Sequence, residues 1–133
     1  MPTERYRRNA GAVFTLKYHL VWCPKYRKSI LGGDLAKRLK ELLYEKAAEL
    51  GGEIQALEIM PDHVHMFFEA DPTLAPAQIA AQFKGFTSKV LRDEFPWLKS
   101  RLPSLWSRSY YIGSVGHVSE ATVKKYIANQ KTK

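Results

Sequence analysis

Residues 54–70, IQALEIMPDHVHMFFEA, decide the fold, because they form two apolar runs separated by the turn pair Pro61-Asp62. A connection this short between two apolar runs predicts an antiparallel hairpin. Side chains alternate across a strand, so His63 and His65 point to one face while Val64 points to the other. Two imidazoles on one face suggest a metal site, although such a pair is equally typical of a polar, solvated sheet face.

The segments on either side of this hairpin predict alternating strands and helices. Residues 14–23 alternate apolar and polar side chains, which predicts a first strand. Residues 34–50 and 76–92 each carry one apolar stripe at helical spacing, so both predict helices. Residues 106–112 predict a fourth strand, and residues 117–133 a final helix.

The order of the elements is β-α-β-β-α-β with one added C-terminal helix. This order predicts an α+β fold with a ferredoxin-like, RRM-like antiparallel sheet. At 133 residues, the chain is long enough for one compact domain and too short for two. We expect residues 1–12 to form a flexible leader. Two helices should cover one face of the sheet and leave the other free for a site or a partner.

The charge of the chain suits a polyanionic partner. Lys and Arg number 21 against 13 Asp and Glu, which gives a formal net charge of +8 and favours nucleic acid. The single cysteine, Cys23, excludes an internal disulfide and a cysteine-based zinc cluster. No stretch has the length and apolarity of a membrane span or a signal peptide. We therefore expect a cytoplasmic protein, associated with the nucleoid when it is bound to DNA.

Four groups of residues, spread along the chain, form a combined signature. They are YHLVW at 18–22 with KYR at 25–27, MPDHVH at 60–65, LWSRSY at 105–110, and KYI at 125–127 with Gln130. Together they resemble the insertion-sequence 200/605 family of single-tyrosine transposases, which carry a histidine-hydrophobic-histidine motif. The resemblance implies an enzyme that binds hairpins at transposon ends, then cleaves and rejoins single-stranded DNA. It also implies a homodimer with composite active sites.

The resemblance also implies roles for individual residues. Tyr126 would be the nucleophile, forming a 5′-phosphotyrosine bond and leaving a 3′-hydroxyl that can reverse the reaction on another strand. His63, His65 and Gln130 would bind a divalent metal, magnesium or manganese, which offsets the charge of the phosphodiester. Tyr126 and Gln130 are four residues apart, so on a helix they share a face. Asp62 could orient an imidazole, act at the metal or only serve the turn.

Cations mixed with aromatic side chains predict the DNA-binding surface. The candidates are Lys25, Tyr26, Arg27, Lys28, Lys84, Lys89 and Arg92. Two other interpretations stay open at this point. One is a non-catalytic module that binds single-stranded DNA or RNA on the free sheet face. The other is a domesticated relative that cuts repeat hairpins in its host genome.

Overall fold

The computed structural model describes residues 7–9, 12–14, 16–114 and 120–129. Six strands and four α-helices lie in these ranges, together with one 3-10 turn at Lys25–Arg27. In chain order they are β1 (Arg7–Asn9), β2 (Ala12–Phe14), β3 (Lys17–Trp22), α1 (Gly33–Glu49), β4 (Glu53–Met60), β5 (His63–Glu69), α2 (Pro76–Glu94), α3 (Trp97–Arg101), β6 (Tyr111–Ser114) and α4 (Glu120–Asn129).

The main sheet has the strand order β4-β5-β3-β6, and every neighbouring pair is antiparallel. The first and third strands of the β-α-β-β-α-β series, β3 and β5, therefore lie side by side in the centre of the sheet. This is the arrangement expected of a ferredoxin-like fold, so the predicted α+β class is confirmed. β1 and β2 form a separate two-stranded sheet.

The two faces of β5 differ as the alternation predicts. Val64, Met66 and Phe68 are fully buried against the helices. His63 and His65 point to the opposite face and are only partly buried. Aromatic contacts anchor the covered face, since the Phe83 ring on α2 meets the Phe68 ring edge-on at a centroid distance of 5.1 Å. The packing of α1 and α2 thus leaves the histidine face outside the core.

The end of α1 fixes the edge of the hairpin. Gly51 has a φ of +73°, a left-handed conformation that glycine adopts without steric cost and that ends the helix. Gly52 then passes so close to β5 that a Cβ atom there would lie 2.7 Å from the Glu69 carbonyl oxygen and collide with the Phe68 ring. A glycine pair is therefore required for the chain to turn back into β4.

The structure differs from the sequence prediction in three regions of the chain. The fourth strand begins at Tyr111 instead of residue 106, because residues 105–107 give their backbone hydrogen bonds to the loop after β3. Within that segment, Trp106 forms only an isolated bridge with Pro24. β1 and β2 lie largely in the segment expected to be a leader. The short helix α3 lies between the predicted second helix and the predicted fourth strand, in a segment for which the sequence pattern predicts no element.

Two further observations concern the apolar character of the helices and the state of the single cysteine. None of the helices in the described ranges has the length and apolar character needed to span a bilayer. The Cys23 thiol is buried, and burial raises its pKa to about 12. Because the thiolate is the reactive form of cysteine, Cys23 behaves as a small core side chain.

Candidate active site

The first histidine of the pair has a carboxylate partner. His63 begins β5, directly after the turn, and its Nδ1 lies 2.9 Å from Oδ1 of Asp62. With a proton on Nδ1, His63 donates to the carboxylate and keeps the lone pair of Nε2 for another ligand. A carboxylate that holds an imidazole in this way is the usual arrangement around a metal-binding histidine.

A guanidinium links this carboxylate to the final helix. Arg27 Nε lies 3.3 Å from the second oxygen of Asp62, and Arg27 Nη1 donates to the Ile127 carbonyl oxygen at 3.3 Å. The backbone is strained at this point, since Tyr26 and Arg27 both have positive φ, 59° and 50°. Such strain persists only where the surrounding contacts hold it. The Asp62–Arg27–Ile127 chain therefore ties the His63 end of the sheet to α4.

The second histidine has a different partner. His65 Nε2 lies 3.1 Å from Nδ1 of His19, which is on the neighbouring strand β3. Burial, together with the proximity of His19 and His63, lowers the pKa of His65, and burial also lowers the pKa of His19. Both rings are therefore neutral near pH 7, with one nitrogen donating and the other accepting. If His65 donates from Nε2, its Nδ1 lone pair is available to a ligand.

The donor set fits a divalent metal that keeps open coordination positions. His63 and His65 share a face, each has one nitrogen engaged, and the environment of His65 favours its neutral, ligating form. In the part of the chain that the structure describes, no third His, Cys, Asp or Glu side chain joins them in a metal-binding cluster. A third ligand would then come from an amide, water or the DNA. Gln130, the predicted third ligand, lies outside the described residues.

The predicted nucleophile packs on the same face of the sheet as the histidines. Val21 pairs with His65 on one side and with Tyr111 on the other, and directly paired residues share a face. The Tyr126 ring on α4 lies 6.3 Å from the Tyr111 ring, between centroids. Strands are spaced about 4.8 Å apart, so β6 lies roughly 10 Å from β5. Tyr126 is thus over the β6 side of the face that carries the histidine pair.

The phenol of Tyr126 is partly sheltered in this position. Its oxygen lies 3.4 Å from Ser109 Oγ. Burial raises the pKa of Tyr126 to about 12, while the hydrogen bond with Ser109 acts in the opposite direction. The hydroxyl is therefore protonated at neutral pH and needs a proton acceptor, or a change of surroundings, before it can attack.

The segment that supplies Ser109 is fastened to α2 by one ammonium group. Lys84 Nζ donates to the carbonyl oxygens of Ser107, Arg108 and Ser109, at 2.7, 3.1 and 3.3 Å. Burial lowers the pKa of Lys84 to about 8, while three carbonyl acceptors favour its charged form. Lys84, predicted as a DNA-binding residue, thus has its donors directed into the protein.

The motifs of the site match one family of proteins. A model of the family described as "Transposase IS200 like" matches residues 12–130. The chain belongs to the IS200-like transposases. This transposase is 38% identical to the ISDra2 transposase TnpA of Deinococcus radiodurans, over 100% of its own length and 96% of that relative. It is 30% identical to the transposase for insertion sequence element IS200 of Salmonella typhimurium, over 86% of this chain and 76% of that one.

Two solved structures share the fold of this chain, and the first also agrees with the family assignment. A crystal structure from Deinococcus radiodurans R1, described as a candidate transposase, has a TM-score of 0.86 and 35% identity, covering 93% of this chain and 97% of that one. A REP-associated tyrosine transposase bound to a REP hairpin has a TM-score of 0.57 and 15% identity, covering 96% of this chain and 68% of that one, and shows the shared fold. The resemblance seen in the sequence is confirmed, and membership of the family implies DNA cleavage and strand transfer.

The predicted DNA-binding residues of this IS200-like transposase separate into two groups. Lys25, Tyr26, Arg27 and Lys28 are in the loop after β3, beside Asp62, where Tyr26 is exposed and Lys25 lies 5.2 Å from its ring. Lys84, Lys89 and Arg92 are on α2, which packs on the other face of the sheet. Arg92 donates to the Leu102 carbonyl oxygen, and Lys89 is exposed. Only the first group lies near the histidine pair.

Sequence reasoning did not identify the contacts of His19 and Ser109. Alternation along residues 14–23 places His19 opposite the core but does not identify its neighbour on the next strand. Its contact with His65 depends on the register of β3 against β5. Ser109 stands inside the motif LWSRSY, so the motif indicated the segment but not the residue that meets Tyr126.

Proposed function

We propose that the chain is a single-strand DNA transposase that cleaves and rejoins DNA through Tyr126. The observation that carries the proposal is the placement of His63 and His65 on one open sheet face, with α4 packed on the same face and presenting Tyr126. Membership of the IS200-like transposases supplies the class of reaction. A catalytic role in this reaction accounts for the two histidines on one face better than the alternative of a polar, solvated sheet face.

The proposed substrate is a hairpin with single-stranded flanks at a transposon end. The net charge of +8 suits a nucleic acid, and a protein of the same fold is described as bound to a REP hairpin. The exposed Tyr26 ring, between Lys25 and Arg27, offers a stacking surface flanked by cations beside the histidine pair. A phosphate held there would lie close to Asp62 and His63.

The chemistry follows from the groups on this face. A divalent ion, magnesium or manganese, held by His63 and His65 would offset the negative charge of the phosphodiester; Gln130 is the proposed third ligand. The Tyr126 oxygen attacks phosphorus and the leaving group is the 3′-oxygen, so the strand ends as a 5′-phosphotyrosine and a free 3′-hydroxyl. Attack by that hydroxyl on the phosphotyrosine reverses the bond change, and no external energy source is needed.

A covalent-adduct assay tests the proposal. The protein is incubated with manganese and labelled hairpin oligonucleotides that carry single-stranded flanks, and the products are separated under denaturing conditions. We expect a protein–DNA adduct with wild type and with Tyr111→Phe, and none with Tyr126→Phe. Tyr111 is the matched control because its ring is the neighbour of Tyr126. Absence of an adduct across cognate candidate hairpins, with binding intact, would favour a non-catalytic binding module.

We propose further that the active form is a homodimer in which α4 completes the partner's site. Tyr126 contacts Tyr111 of β6, and β3 separates β6 from the histidine strand β5, which supports a rearrangement of α4 before attack. Mixing Tyr126→Phe chains with His65→Ala chains should then restore cleavage, because one composite site would be intact. Failure of this rescue in isolated heterodimers would place each site within one chain.

A further inference from the structure

A recess lies beside His65 on the open sheet face, at the edge away from α4. Its volume is about 330 Å³, which is within the range of small-molecule sites. α4 packs on β3 and against Tyr111 of β6, whereas the recess is lined mainly by residues of β4 and β5. The recess is lined by His19, Ala56, Leu57, Glu58, His65 and Phe67.

One wall of the recess is a flat aromatic surface. The rings of His19 and Phe67 are stacked, with centroids 4.9 Å apart and an angle of 7° between their planes. Phe67 pairs with His19 on β3 and with Ala56 on β4. The side chain of Ala56 is a single methyl group, so it leaves space beside the Phe67 ring. A larger side chain at this position would fill that space. Both rings are partly exposed, and aromatic rings that border a recess are the usual stacking surface for unpaired bases.

The opposite side of the recess carries a carboxylate. Glu58 pairs with His65 across β4 and β5 and is exposed. In a chain with a net charge of +8, a carboxylate at this point repels a phosphate but accepts hydrogen bonds from an amino group. Within the described residues, Glu58 does not form a metal-binding cluster with two other His, Cys, Asp or Glu side chains. Its exposed carboxylate is accessible to a ligand from solvent.

We propose that this recess binds a single unpaired nucleobase that carries an exocyclic amine, which means adenine, cytosine or guanine. The base would lie next to the phosphate that is bound at the proposed metal site of His63 and His65. The base stacks on the Phe67 ring and its amine donates to Glu58. The proposal rests on the single-strand DNA function proposed above and deepens it, because it gives the protein itself a base preference beside the cleavage position. Thymine, which has no exocyclic amine, is disfavoured.

The first test measures base preference in binding. The probes are fluorescein-labelled single strands (dA)12, (dC)12 and (dT)12, titrated in EDTA so that neither a metal nor cleavage contributes. We expect wild type to bind (dA)12 and (dC)12 about tenfold more tightly than (dT)12. In Glu58→Gln this difference should fall to about twofold or less, since an amide both donates and accepts. Glu45→Gln, an exposed residue of α1, removes the same charge and should leave the ranking unchanged.

The second test removes the stacking surface. Phe67→Ala should weaken binding of all three strands by about tenfold, while Tyr44→Ala, which removes an exposed aromatic ring from α1, should not. If Phe67→Ala is misfolded by circular dichroism, ¹H NMR of the wild type replaces it. Titration with dAMP should then shift the ring protons of His19, His65 and Phe67, and titration with dTMP should shift them less.

The outcomes separate this proposal from the function on which it rests. An unchanged base ranking in Glu58→Gln, or an equal response to dAMP and dTMP, overturns the base-binding recess even where wild type forms the Tyr126 adduct. A changed ranking supports the recess, also where no adduct forms. The adduct assay alone decides the covalent chemistry.

Discussion

His63 and His65 stand two residues apart on one strand, yet their surroundings differ in kind. His63 contacts a carboxylate, which a guanidinium connects to the backbone of α4. His65 contacts the neutral imidazole of His19, which is stacked on Phe67. The first environment is charged and linked to the tyrosine helix. The second is aromatic and opens into the recess.

This difference indicates a division of labour between the two ends of the site. A charged partner strengthens an imidazole as a ligand and holds its orientation firmly. A neutral, partly buried partner keeps its histidine unprotonated and leaves the adjoining surface suitable for a base. We infer that the His63 end governs ligand strength and the placement of α4, and that the His65 end governs contact with the DNA bases.

The largest effect on cleavage is expected from replacing either of the two histidines, because both are proposed to bind the same metal ion. Replacing either histidine, as His63→Ala or His65→Ala, should lower single-turnover cleavage by at least about 1000-fold, because the charge-offsetting ligand set is lost. Hairpin binding, measured by gel shift, should remain. Loss of secondary structure in circular dichroism, with binding lost in parallel, would instead mean that the histidines serve the fold.

A smaller effect on the cleavage rate is expected from a change of pH, because the partly buried phenol of Tyr126 must lose its proton. The raised pKa of Tyr126, about 12, means that the phenolate fraction increases about tenfold per pH unit through the neutral range. Cleavage with magnesium should therefore rise by about 100-fold between pH 7 and pH 9. A rate independent of pH over this interval would show that loss of the phenolic proton does not limit the reaction.

The partners of the two histidines should differ in their effect on metal affinity. Asp62→Asn removes the charged partner of His63 and should weaken manganese binding by about 10- to 100-fold. His19→Phe keeps the stacked ring beside His65 and should weaken it less. Calorimetry measures both, with Asp93→Asn as a control at an exposed ion pair with Lys99. Equal losses from the two partners would remove the distinction between them.

The smallest effect on cleavage is expected from weakening the contact between Asp62 and α4, which Arg27 makes. Arg27→Lys replaces a guanidinium that reaches Asp62 and the Ile127 carbonyl through two separate nitrogens, Nε and Nη1, with one ammonium on a different stem, so α4 should exchange its amide hydrogens faster. Cleavage should fall by about tenfold with manganese affinity unchanged. Arg38→Lys, at the surface pair with Glu94, is the control. Unchanged exchange in α4 would show that the guanidinium does not hold the helix.

The sequence predicted those parts of the site that depend on local periodicity. Alternation along β5 placed both histidines on one face and Val64 in the core, as the structure shows. Contacts between segments that are distant in the sequence could not be predicted from local periodicity. His19 and His65 are 46 positions apart, and Arg27 and Ile127 are 100 apart, so both contacts depend on strand register and helix placement. A run such as residues 105–110 also resembles a strand locally, while its hydrogen bonds go to a loop.

The most direct measurement of whether the two histidines form one site is calorimetric titration of the wild type with manganese, alongside His63→Ala and His65→Ala. A single shared site predicts one ion per chain in wild type and loss of that binding in each variant, despite the different partners of the two rings. Undiminished manganese binding in either variant would contradict a shared metal site on this face of the sheet.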